Sequence, residues 1–343
     1  EPPPVRDRRA PVSPPREREP ARPPLPPGRK PEELFQPDDA TKDLVTPLVL
    51  EFQTAEAEEK PRVSEKMAKL RGDAGAYLAS LLEQFKAEDQ PLVVEAIIKI
   101  KDPKSGAVLI KHLDAPDPNL RAQAAYALGQ MGVDEAIVPL HGHLKDPDPL
   151  PRAAVVSALQ QLGAKDSFRE IGSLLADPDR EVRSRAISAL TDLARKHGME
   201  EDFASLLGSM LRQVPPEVRV DLLHSLGQTG RSNHWPEIAE LLEDRQPEVR
   251  GAAVAALTTL GAREAGDRLA RHLESETDRI VQMQLVAALR ELKVRQGVDI
   301  LIRLLDQPSD ELKSLIFQAL SSLTGQNLGT DVQAWRTWWD ANR

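Results

Sequence analysis

No cysteine occurs among the 343 residues. That excludes disulfides, thiolate metal sites and cysteine nucleophiles. Aromatic residues make up only 3% of the chain, so a core must be built from Ala, Leu, Val and Ile. Such small side chains suit closely packed helix pairs better than a sandwich or a barrel. The sequence has no apolar run of about 18 residues, so no helix can cross a bilayer. Convincing strands are missing, and with them any Gly-rich phosphate loop that would follow a strand. Ser, His and Asp are scattered and assemble no nucleophile constellation. Net basicity is lacking too. Residues 1–31 hold eight Arg/Lys against four Asp/Glu, a balance of +4, which leaves 37 basic and 50 acidic residues, or -13, for the remainder. An acidic body repels phosphate backbones at long range and argues against nucleic acid as a partner.

Proline is abundant, and thirteen of the 29 prolines lie in residues 1–37, interleaved with Arg and Glu. A segment so poor in large apolar residues cannot offset its ordering entropy. It reads as a polyproline-type disordered tether, with Pro24-Leu25-Pro26-Pro27-Gly28-Arg29 matching the PxxPx+ pattern that SH3-like grooves read. A first residue other than Met, the absence of cysteine and this lead favour an exported, periplasmic or membrane-tethered protein over a cytoplasmic one.

Residues 38–57 read as an N-terminal capping helix. Leu44, Val45, Leu48, Val49 and Phe52 share one face, and Pro47 is expected to kink it. A period then sets in. Segments open near Glu58, Glu88, Asp117, Asp146, Asp177, Val214, Arg245, Glu276 and Pro308, at spacings of 30, 29, 29, 31, 37, 31, 31 and 32 residues. Each holds a first helix, a short turn and a second helix. The stretch from Asp177 to Leu193 shows the logic: an acid and a proline open a helix whose Val182, Ala186, Ile187, Ala189, Leu190 and Leu193 fall on one face. Gly72, Gly132, Gly163, Gly230 and Gly261 stand where the first helices end and a left-handed residue is wanted. The insertion behind the one long spacing is Ala194 to Glu201. One such unit buries too little to stand alone and must share its flanks with neighbours. Residues 326–343 carry Trp335, Trp338 and Trp339 at helical spacing, the mark of a helix that caps the last flank, with Arg336 and Asp340 turned away.

The recurring frame DPDxxVRxxAxxAL resembles HEAT repeats of the phycobilisome-lyase-like type found in bacteria. It is carried by Asp117-Pro118 and Arg121, Asp146-Pro147 and Arg152, Asp177-Pro178 and Arg183, Glu217-Val218-Arg219 and Glu248-Val249-Arg250. The resemblance covers about residues 58–325 and implies an all-α fold, a right-handed α–α superhelix of the HEAT/ARM-like solenoid class. It also implies that Asp and Arg link consecutive units into a ladder, and that the second helices line the concave side. Lys313 and Gln282 or Met283 stand where the ladder arginine is due in the last two repeats.

Enzymes built on such arrays set tests that this chain answers poorly. Deoxyhypusine hydroxylase-like arrays hold two irons through His-Glu pairs, and no His-Glu dipeptide is present here. Glycosylases of similar architecture pair Trp with Asp in a basic cleft, whereas Trp235 is the single tryptophan outside the cap and the body is acidic. A bilin lyase would need aromatic walls for its tetrapyrrole. His112, His143 and His272 occupy one repeat position, filled by Leu174, Leu241 and Leu304 elsewhere, and read as half-buried structural residues. His112 and His143, in consecutive units, are close enough to raise a metal or pH-responsive site, but no carboxylate at fitting spacing completes a ligand set.

What remains is surface. The residue before the paired apolars of each second helix points outward, giving Lys111, Gly142, Ser173, Glu240, Arg271 and Arg303. Asp267/Arg271 and Asp299/Arg303 repeat one another 32 residues apart, each an i,i+4 pair. Lys111, Ser173, Glu240, Asp267, Arg271, Asp299 and Arg303 are therefore the candidate partner-binding residues. The expected role is a non-catalytic scaffold that holds a protein or peptide on its concave face without cofactor or metal. The competing readings are a lyase-like factor acting on a cofactor-bearing protein and a structural spacer in an envelope assembly.

Overall fold

A computed structural model describes Lys30 and residues 34–306 and 310–342. Pro24 to Arg29 and the rest of the proline-rich lead up to residue 29 lie outside the described residues. Nineteen helices and no strand are found among the described residues. A leading helix, α1 (Asp39–Thr54), is followed by nine helix pairs. The first four are α2 (Lys60–Met67) with α3 (Ala74–Ser80), α4 (Gln90–Ile100) with α5 (Lys104–His112), α6 (Pro118–Met131) with α7 (Ile137–His143), and α8 (Pro149–Gln161) with α9 (Phe168–Gly172). The fifth, with the insertion, is α10 (Arg180–His197) and α11 (Glu200–Met210). Then come α12 (Pro216–Gln228) with α13 (Trp235–Glu240), α14 (Pro247–Thr259) with α15 (Gly266–Ser275), α16 (Arg279–Glu291) with α17 (Val298–Leu304), and α18 (Asp310–Thr324) with α19 (Val332–Asn342). The fold is an all-α solenoid of stacked helix pairs.

Local chemistry places the helix ends. Asp117, Asp179 and Asp278 accept from backbone N–H groups of the first turns of α6, α10 and α16, which satisfies donors that a helix start leaves open. All five glycines expected at first-helix ends have positive φ, and so does Gly198 after the lengthened α10. Lys101 and Lys293 do the same work at φ 56° and 58°. Helix α1 runs on through Pro47, and it buries Val45, Val49 and Phe52. Leu44, expected on that face, is instead 58% exposed. Among the described residues nothing covers that side of the helix, so its buried stripe is narrower than the sequence pattern.

One continuous core runs from Leu34 to Trp335. Consecutive first helices lie side by side, and small residues set how closely. Any Cβ at Gly129 of α6 would meet the Ala158 backbone of α8 at 2.8 Å, and one at Gly227 of α12 would meet Ala256 of α14 at 3.0 Å. At the equivalent place between α10 and α12 stand Thr191 and Ser225, bulkier and polar. There the two helices scarcely touch, in contrast to every other consecutive pair of first helices from α2 to α18. A cavity of about 260 Å³ fills the gap, lined by Ile187, Thr191, Phe203, Ser225 and Gln228 among others.

The ladder is formed and then interrupted at this same place. Arg121 clasps Asp146 at 2.6 and 2.8 Å, Arg152 clasps Asp177 at 2.8 and 2.7 Å, and Arg250 clasps Glu276 at 2.7 Å through both oxygens. Arg219 reaches Asp244 at 2.6 Å. Asp146 and Asp177, expected as helix-opening caps, are thus the ladder's acids, and the N-cap of α10 is Asp179. Arg183 keeps the shared bond to a loop carbonyl, Asp177 O at 2.9 Å, but finds only Asp221 at 3.8 Å. Its Nε is buried with no hydrogen-bond partner among the described residues. Gln213 sits where the acid belongs, two residues before Pro215. In the intact rungs that acid also accepts the N–H two residues on, as Asp146 does from Asp148, and proline has none to give. Gln282, in an arginine's place, keeps the carbonyl bond, to Glu276 O at 2.7 Å.

Helix α19 is the second helix of the ninth pair and packs on α17. Trp335 is fully buried and donates to Gly329 O at 3.0 Å, and Trp338 meets its ring edge to face at 6.2 Å. Arg336, expected to turn away, reaches back to Asp306.

Candidate interaction surface

Along the second helices, carboxylates meet an arginine or an imidazole of the neighbouring unit. Acid and base meet across consecutive second helices in Glu83–His112 (3.7 Å), Asp114–His143 (3.5 Å), Glu240–Arg212, Glu243–His272 (3.5 Å) and Glu274–Arg303 (3.0 Å). Each histidine slot of the repeat therefore faces a carboxylate 29 residues upstream. Glu83, Asp114 and Glu243 were not picked out from the sequence, although that constant interval was the signal available. His112 also bonds Ala79 O at 2.7 Å, so it and His143 each turn to the preceding unit and not to one another. Among the described residues no group of three or more His, Asp or Glu side chains converges as a metal site would.

The seven sequence-derived candidates have different fates. Ser173, Glu240, Asp267, Arg271 and Arg303 are exposed. Ser173, just past the end of α9, donates from Oγ to Glu170 O of that helix at 2.7 Å. Glu240 is engaged by Arg212. Asp299 and Arg303 pair at 3.4 Å as the spacing implied, and Trp339 Nε1 donates to Asp299 at 3.1 Å, so the last helix half-covers it. Asp267 and Arg271 do not pair through the carboxylate; Arg271 Nε donates to the Asp267 carbonyl oxygen at 3.2 Å. Exposed charges on one helix gain too little from pairing to hold two long side chains in place.

Lys111 is covered by the chain itself. Its Nζ donates to Leu34 O at 3.0 Å. Leu34 is 5% exposed and belongs to the core, with Phe35 packed beside it. The tether expected to extend to residue 37 thus gives way to packed chain at Leu34. Two apolar side chains side by side in an otherwise polar stretch were the overlooked sign.

Glu276 is the most heavily bonded carboxylate on this side. Besides Arg250 it accepts from His272 Nε2 at 2.9 Å and from the backbone of Thr277 and Asp278 at 2.8 Å. Burial pushes its pKa up, but the hydrogen bonds from Arg250, Asp278, His272 and Thr277 outweigh burial and hold it at about 2. Two larger hollows flank the array. One, of about 690 Å³, lies between α5 and the turn after α6 and is lined by Lys101, Ala107, Ile110 and Met131 among others. The other, of about 770 Å³, follows the outer side of α18 past Lys313 and Phe317.

Known proteins place the architecture. The family described as HEAT repeats matches residues 76–150, 139–219 and 204–290. A search of curated proteins found no match. Among solved structures, Kap121p bound to Nup53p is similar with a TM-score of 0.57 and 12% identity, over 82% of this chain and 37% of that one. The complex of CpcE and CpcF of phycocyanin lyase from Nostoc sp. PCC7120 is similar at 20% identity and a TM-score of 0.36, over 80% and 97% of the two chains. Human deoxyhypusine hydroxylase in complex with glycerol gives 20% identity and 0.33, over 79% and 100%. With the matched spans running together over residues 76–290, more than half its length, the chain belongs to the HEAT-repeat family.

Proposed function

We propose that the protein is a non-catalytic scaffold that holds a protein or peptide on the concave face formed by its second helices. The observation that carries this reading is the division of labour on that face. Glu83, Asp114, Arg212 and Glu274 are spent on linking units, while Ser173, Asp267 and Arg271 stay exposed between them. An ordered, charged surface of this kind selects partners by charge pattern more than by depth of burial. A photo-crosslinking residue placed at Ser173 or Arg271 should capture a partner. The same residue at Arg185, exposed on a first helix, should not. Equal capture from both sides would refute the assignment of the face. Addition of bilins or divalent metals should leave the absorption spectrum unchanged, and stoichiometric uptake would favour a lyase-like or metal-dependent role.

A further inference from the structure

Along each first helix, one position reports whether a further helix lies beside it. Four residues after the ladder position stand Ala125, Val156, Leu223, Val254 and Val286 of α6, α8, α12, α14 and α16, each at most 1% exposed. In α10 the residue is Ile187, half-buried, beside the gap where α12 stands off. The following first helix is therefore what buries this position. In α18 the residue is Phe317, and it too is only half-buried. It lines the hollow of about 770 Å³ together with Asp310, Lys313, Ser314 and Ser321. Ser321 stands at the place of Gly129 and Gly227, and Ser314 at that of Gly251, where an added Cβ would run into the next first helix. The flank of α18 is thus shaped to receive a helix, and among the described residues none covers it. A solvated flank calls for a polar residue there, and the chain supplies phenylalanine.

A helix of matching character lies on the same chain. Leu44 and Leu50 of α1 are 58% and 61% exposed, two of the six large apolar side chains left exposed among the described residues. Asp43, Pro47, Leu50 and Thr54 follow one another at i, i+4, i+7 and i+11, on the side of α1 opposite Val45, Val49 and Phe52. Asp310, Ser314, Phe317 and Ser321 have the same spacing on α18. Laid side by side in one direction, the two stripes bring Leu50 to Phe317 and Thr54 to Ser321. Asp43 then falls within a side chain's reach of Lys313, and Lys42 within reach of Asp310. Lys42 otherwise holds Asp39 at 3.3 Å on its own helix, an exposed pair that is easily exchanged.

We infer that the flank of α18 receives α1 of a second copy, so that copies of the chain join head to tail and the array continues from one molecule into the next. Such a contact uses different surfaces on the two copies, so it builds chains or rings and not a two-fold dimer. It extends the stacking already present between units, with Phe317 gaining the burial that Val254 and Val286 have. The contact lies on the flank of a first helix and holds or fails separately from the scaffold role of the concave face.

Sedimentation velocity on the full chain, over a rising concentration series, is the test. The wild type should grow past the dimer. Phe317→Asp and Leu50→Asp should each remain monomeric, with circular dichroism melting curves showing that both are folded. Mixed in equal amounts, the two variants should form a dimer and nothing larger, because each retains the end that the other has lost. Lys313→Glu should weaken association by about ten-fold, and Asp43→Lys in the same chain should restore it. A wild type that stays monomeric throughout, or growth that stops at a dimer, would overturn the head-to-tail contact. So would a Leu50→Asp variant that associates like the wild type, or two variants that fail to complement one another.

Discussion

Glu276 shows how much one side chain can carry in an array of small residues. It terminates a ladder rung, accepts two backbone N–H groups at the start of α16 and bonds His272. With a pKa near 2 against 4.5 for the free group, it contributes about 3 kcal/mol of stability once ionised in both folded and unfolded chains. The sign follows from the lowered value. The contribution is complete above about pH 5 and drains away as pH falls through 4.5 towards 2, more than half of it by about pH 3. Urea unfolding of the wild type and Glu276→Gln should therefore differ widely at about pH 6 and by less than half as much at about pH 3. A gap independent of pH would rule out this role. The sequence marked Glu276 only as a repeat opening, because its partners come from three segments. Lys101 and Lys293 were illegible for a different reason. Residues with a Cβ rarely hold positive φ, and only the fixed offset from the ladder position, held by Gln90 and Gln282 in these two units, betrays them.

At the level of helices, the period, the turns and the ladder spacing were all readable, since each depends on contacts between residues about thirty apart. The ladder's interruption was not. Arg183 looks like its neighbours in sequence, and its want of an acid is a property of the loop at Gln213 and Pro215. The two arginines should consequently answer differently to the same change. Arg152→Met leaves Asp177 buried without its cation and should cost about 3–5 kcal/mol. Arg183→Met strands no buried carboxylate, because Asp221 is a third exposed, and it removes a guanidinium that already lacks one partner. Its cost should fall to about 1 kcal/mol or less. Equal losses in denaturant titrations would show that the carbonyl bonds, which both arginines make, matter more than the carboxylate.

Over the whole molecule, stability is a sum of unit terms and nearest-neighbour terms, so the weakest junction decides how unfolding spreads. Three independent features coincide between α10 and α12: Thr191 and Ser225 in place of a close Gly–Ala contact, a ladder arginine without its acid, and a cavity of about 260 Å³. What bridges the two blocks is α11, which packs on both first helices, so they remain joined through the second-helix layer. Trp335 lies at the far end of the second block, buried and bonded to Gly329. Trp335→Ala should cost about 3–5 kcal/mol and loosen the units it seals. Loss of amide protection by hydrogen exchange should then run back from α19 through α12 and stop there, leaving α2 to α10 as protected as in the wild type. The seam, and not distance from the mutation, would set that limit. To separate the two, α10 and α12 can be brought together by Thr191→Gly with Ser225→Ala, which restores the small pair found at Gly227 and Ala256. In that background the loss of protection should pass beyond α12 or diminish throughout. Protection that fades smoothly with distance in both backgrounds would mean that the junctions are equivalent, and that the gap between α10 and α12 has no energetic consequence.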